Sequence, residues 1–157
     1  MKCVSTATPR RWWALAGVSI ASFLGCVAFT IVNTALPALQ QQLQVPVDRL
    51  QWVINGFLLA MSSFMVLAGR LADLYGRKRV LSVGLLVFGL ASVIAGLAGS
   101  LDLLVAARVL QGLACAVLYT ASGAIVGQIF APEEQGKAFG VLFGFNGVGL
   151  AAGPVLG

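Results

Sequence analysis

A chain of 157 residues that is 59% hydrophobic and only 10% charged, with a mean hydropathy of +0.96, lies outside the composition of soluble globular domains. Its net charge of +5 does not make a nucleic-acid patch, because the cations gather at the ends of long uncharged stretches. The absence of histidine removes Ser-His and Cys-His nucleophile pairs and histidine-ligated metals, so no catalytic residue, cofactor or metal site is expected.

Charge is missing between Arg11 and Asp48, from Leu50 to Gly69, from Val80 to Leu101, from Val109 to Pro132, and from Ala138 onward. A helix crosses about 30 Å of hydrocarbon with roughly 20 apolar residues, and each stretch is long enough. The runs lack the polar–apolar alternation of a barrel strand, and only helices otherwise satisfy their backbone in lipid. The reading is an all-α membrane protein with spans at 12–35, 51–70, 80–99, 103–128 and 137–157, the fifth cut by the end of the sequence.

In chain order, Lys2, Arg10 and Arg11 precede the first span, with Trp12 and Trp13 as interfacial anchors. A cleaved leader is the rival reading of this span, but the uncharged stretch exceeds a typical signal core and further spans follow. The first outer loop, from Pro37 to Leu50, holds Gln40, Gln41, Gln42 and Gln44 and reads as a short solvated helix extension. A basic turn with Arg70, Arg77, Lys78 and Arg79 joins spans two and three. Gly99-Ser100 closes spans three and four, with Ser100 or Asp102 as the expected helix cap. Pro132, Glu133 and Glu134 mark the start of the fifth helix, followed by Lys137. Eight cations thus lie on one side against Arg49 alone on the other, which predicts a cytoplasmic N-terminus in the plasma membrane. Cys3, Cys26 and Cys115 are widely spaced and read as small apolar filler.

Three stretches carry more than hydrophobicity. From Gly69 to Leu81 one helix ends and the next begins through a basic turn, with Gly69 and Gly76 permitting tight geometry and Asp73 able to pair with Arg77 if that part is helical. Arg108 lies inside the fourth span, with Gln111, Gly112 and Cys115 on its stripe. A charge there is costly unless partnered, and the competing reading is a side chain that snorkels to water. Gly149, Gly153 and Gly157 recur every four residues and so share a helix face that admits a neighbouring backbone, while Pro154 can bend the helix.

These stretches resemble the major facilitator superfamily. Its loop signature Gly-x-Leu-Ala-Asp-Arg-x-Gly-Arg-Lys-x-x-Leu is matched by Gly69, Leu71, Ala72, Asp73, Gly76, Arg77, Lys78 and Leu81, with Leu74 departing at the first arginine. Leu104, Arg108, Gln111 and Gly112 look like the fourth-span motif, in which the arginine is implicated in proton coupling. Gly149, Gly153, Pro154 and Gly157 resemble the antiporter motif that separates exporters from symporters and uniporters. Thr30, Asn33, Ala35 and Pro37, followed by Gln51-Trp52, are similar to the fourteen-span drug:proton antiporter branch. That branch usually carries an aspartate where this chain has Ala28, and no carboxylate lies inside any span.

The resemblance implies the N-terminal five helices of a two-half bundle that rocks around a central site, the partner half lying outside this chain. It implies proton-coupled efflux of small organic compounds, with lipid, substrate and protons as partners. In that family the loop of Gly69, Asp73, Gly76, Arg77 and Lys78 stabilises the outward-facing state through the other half. The alternatives are metabolite or sugar uptake within the same superfamily, and a non-transporting membrane scaffold or gene fragment.

Overall fold

The structure, a computed structural model, describes residues 9–43 and 46–156. Lys2, Cys3, Gln44 and Gly157, which enter the sequence reading, lie outside the described residues. Five helices follow one another: α1 (Pro9–Leu43), α2 (Val47–Tyr75), α3 (Arg77–Gly96), α4 (Leu101–Ile129) and α5 (Pro132–Leu156). Among the described residues there is no strand. Helices α1 to α4 are each long and apolar enough to cross a membrane. Helix α5 forms where the fifth span is expected.

The helices outrun the expected spans at several ends. At 1.5 Å per residue the 35 residues of α1 reach roughly 52 Å, well beyond the hydrocarbon core. Pro9 opens α1, so Arg10 and Arg11 belong to its first turns. At the other end α1 runs through Pro37 and takes in the exposed Gln40 and Gln41, the helix extension expected in the first outer loop. The carbonyl that loses its intrahelical donor to Pro37 is that of Asn33, and both residues lie on an exposed face of α1.

The helix ends follow their local chemistry. Ser100 caps α4, its hydroxyl accepting from the Leu103 amide at 3.4 Å, with Asp102 in the first turn. Gln135, in the first turns of α5, donates to the Gly127 and Phe130 carbonyls and so satisfies orphan acceptors at the end of α4. Arg11 and Glu134 meet at 3.5 Å, tying the starts of α1 and α5 together.

Helix α4 is the centre of the bundle. Half of its apolar span is buried inside the protein, against 17% for α3. It packs mainly on α2 and α3, while α1 pairs with α5. One apolar layer joins Leu15, Val18, Val126 and Leu142, a second joins Phe57, Phe88, Cys115 and Leu118, and a third joins Leu50, Val53 and Leu104. The outward stripe of α3, comprising Val83, Leu86, Leu90 and Val93, stays exposed and apolar. That inverts the soluble pattern and matches a face bathed in lipid tails.

Candidate functional site

The most informative geometry surrounds Arg108. It stands two turns into α4, on the face turned toward the other helices, and only 2% of the residue is exposed. A guanidinium this enclosed does not reach water by snorkelling. Its Nη1 donates to Gln111 Oε1 at 2.7 Å, and Nη2 donates to the Ala28 carbonyl at 3.1 Å. Its centre lies 5.1 Å from the centroid of the Phe57 ring, which in turn stacks on Phe29. Such a cation–π contact is worth about 2 kcal/mol when desolvated. Among the described residues no carboxylate pairs with Arg108, and its Nε has no hydrogen-bond partner.

The contact with Ala28 bears on the missing acid. A methyl side chain offers no acceptor, so the arginine takes the main-chain carbonyl instead. The charge is therefore solvated by dipoles and an aromatic face rather than neutralised by an anion. Gln111 passes the network to α3, its Nε2 donating to Ser92 Oγ at 2.8 Å. Gly112 allows this closeness: a Cβ there would overlap the Phe57 carbonyl and come within 3.1 Å of Ala60 Cβ. A small cavity of about 150 Å³ opens beside the same ring, lined by Gly25, Phe29, Phe57, Leu58, Met61 and Tyr119.

The second candidate region is the basic turn. Gly76 ends α2 and precedes α3 with φ 91° and ψ 125°, a backbone that side chains rarely adopt. Asp73 and Arg77 do pair, with Nη2 at 2.9 Å and Nε at 3.2 Å from Oδ1. The pair was expected to need a continuous helix. Instead it bridges the break at Gly76, because Arg77 is long enough to reach back over the turn. Arg77 also donates through Nη1 to the Ala124 carbonyl, which ties the turn to α4. Lys78 and Arg79 are exposed. The tight geometry expected at Gly69 is not found: it sits inside α2, and no described atom crowds the place of its Cβ.

The third region is the seam between α1 and α5. A Cβ on Gly149 would lie 3.0 Å from both Cys26 Cβ and Phe23 Cδ2, and one on Gly153 would overlap Thr30. The glycine face therefore lies against the backbone of α1. Pro154 falls within α5, and Gly157 lies outside the described residues. Cys115 is buried filler as expected. Cys26 does more, forming a hydrogen bond with the Tyr119 hydroxyl that links α1 to α4.

Sequence reasoning did not single out Ser92, Phe57 or Tyr119, which look like ordinary members of apolar runs. Asn146, buried at 7% exposure in α5, did carry a signal as a lone amide in an uncharged stretch.

Comparisons with known proteins agree with this layout. Residues 18–157 match the family described as Major Facilitator Superfamily. The chain is 43% identical over 150 residues to the puromycin resistance protein pur8 of Streptomyces alboniger, covering 95% of this chain and 30% of that protein. It is 35% identical over 148 residues to the tetracenomycin C resistance and export protein of Streptomyces glaucescens, covering 94% and 28% respectively. It is 42% identical over 129 residues to the multidrug resistance protein Stp of Mycobacterium tuberculosis, covering 81% and 24%. The chain thus spans no more than about a third of the length of these curated relatives.

Proposed function

Because the chain belongs to the Major Facilitator Superfamily, a family of transporters rather than enzymes, we propose that it forms the N-terminal part of a proton-coupled exporter of small organic compounds. The exporter is of the antibiotic or multidrug type and resides in the plasma membrane with its N-terminus in the cytoplasm. The observation that carries the efflux direction is the α1–α5 seam, where Gly149 and Gly153 of the antiporter-like motif bring α5 against the backbone of α1. Relatives named for drug resistance or export support the substrate class.

On this reading Arg108 is the coupling group of this half. Its charge is held by Gln111, the Ala28 carbonyl and the Phe57 ring, so its energy depends on how α1, α2 and α4 sit relative to one another. No carboxylate lies within the uncharged stretches of this chain, so the acid that takes up the exchanged proton belongs to the second half of the transporter. The turn formed by Gly69, Asp73, Gly76, Arg77 and Lys78 serves as the conformational latch toward that half, and a pocket of about 690 Å³ lies between the turn and the end of α4.

The test is expression of the full-length transporter carrying this chain in an antibiotic-sensitive bacterial host. It should raise resistance to puromycin or tetracenomycin C, and everted vesicles should move protons when the drug is added. Energy-dependent drug accumulation by intact cells would turn the reading to uptake. No drug-dependent change in either assay would reject transport of this class.

A further inference from the structure

The hydrogen bonds of Arg108 continue beyond Gln111 to a serine on α3. The Ser92 hydroxyl, on α3, donates to the Phe88 carbonyl at 2.8 Å. A hydroxyl has one proton, so what remains toward α4 is lone-pair density. Gln111 must therefore present its NH2 group to Ser92, as its Nε2 does at 2.8 Å. The other end of the amide is then the oxygen, which accepts from Arg108 Nη1 at 2.7 Å. Turning the amide over would set NH2 against the guanidinium, a repulsive contact in an enclosed site, and would draw the serine hydroxyl away from the Phe88 carbonyl to donate to the amide oxygen.

We propose that Ser92 is a positioning residue for coupling: it fixes the polarity of the Gln111 amide and, through it, the direction of the Arg108 guanidinium. This rests on the proton-coupled reading above. The chain of donors is directional from α4 to α3, from Arg108 to Gln111 to Ser92 to the Phe88 carbonyl. Without the serine oxygen, the Gln111 NH2 loses its acceptor in an enclosed site, and the amide is held at one end only. Among the described residues Ser92 hydrogen-bonds to Phe88 and Gln111 and does not line the 150 Å³ cavity beside Phe57, so its link to Arg108 runs through Gln111.

The experiment compares Ser92→Ala, Ser92→Cys and Ser92→Thr in the full-length transporter, with puromycin as the probe in everted vesicles. Membrane abundance is followed by immunoblot. Ser92→Ala should lower the maximal rate of proton-driven export about tenfold, with KM within about twofold and abundance unchanged. Ser92→Cys should behave like alanine, because a thiol accepts weakly, whereas Ser92→Thr keeps a hydroxyl able to donate to the Phe88 carbonyl and should recover to within about twofold of the parent. Export at the parent rate by Ser92→Ala overturns the proposal, as does a Ser92→Ala protein that vanishes from the membrane, which makes the serine a folding element. The two readings fail separately. If Arg108→Ala exports normally, the coupling reading falls; if Arg108→Ala is inactive while Ser92→Ala is normal, only the positioning role falls.

Discussion

Arg108 concentrates the residue-scale chemistry. An arginine inside a membrane helix is costly, up to about 2.5–3.5 kcal/mol at the helix centre on the mildest scale, and at Arg108, two turns into α4, two hydrogen bonds and an aromatic face offset that cost without a counter-charge. Arg108→Ala in the full-length transporter should abolish drug-induced proton movement in vesicles while leaving membrane abundance unchanged. Arg108→Lys should restore little, since an ammonium cannot reach Gln111 Oε1 and the Ala28 carbonyl together in the flat geometry that also covers Phe57. Normal transport by the alanine variant would remove Arg108 from the mechanism, and loss of the protein from the membrane would make its role structural. The arginine itself was legible as a lone charge in an apolar run. Gln111 was legible with it on the same helix stripe, but the contacts to Ala28 and Phe57 were not, because those residues lie on two other helices and meet Arg108 only through tertiary packing.

At the scale of the elements, the glycines sort by what they face. Gly153 is pressed against Thr30, so Gly153→Ala forces α5 away from α1 and should destabilise the bundle by about 1–3 kcal/mol. Thermal melting of the detergent-purified protein measures this, and adding Thr30→Gly should return part of the loss. A melting temperature unchanged by Gly153→Ala would show that the seam has room to spare. Gly76 acts instead through its backbone, with open space around it and φ 91°. Gly76→Ala should therefore cost about 1–3 kcal/mol by strain, with no neighbouring substitution able to relieve it. That contrast between a rescuable and an unrescuable glycine distinguishes close approach from turn geometry.

The whole molecule is read through its topology. The proposed orientation, with the N-terminus inside, puts the turn at Gly76 in the cytoplasm and the turn at Ala98 to Ser100 outside. A cytoplasm-active reporter fused after Arg79 and an export-active reporter fused after Ser100 should both give signal. The opposite pattern at both sites would invert the protein. The exposed apolar stripe of α3 belongs with the same picture, because lipid takes the place of a core on that side.

The number and order of the helices followed from the amino-acid sequence alone, since a bilayer sorts residues by a transfer energy that is summed locally along the chain. The Ser100 cap, the helix start at Pro132 and the break near Gly76 were equally local, each set by the chemistry of one or two side chains. Helix ends were less legible: α1 begins at Pro9 and α2 at Val47, ahead of the expected spans, and the Asp73–Arg77 pair spans a break that spacing alone could not reveal. Only the tertiary structure decided what the motifs touch. Arg108 meets α1 through a main-chain carbonyl, Gly153 meets Thr30, and Gln111 is oriented by a serine on α3. Such contacts depend on the relative rotation and depth of separate helices, which packing settles between distant segments and no local pattern records.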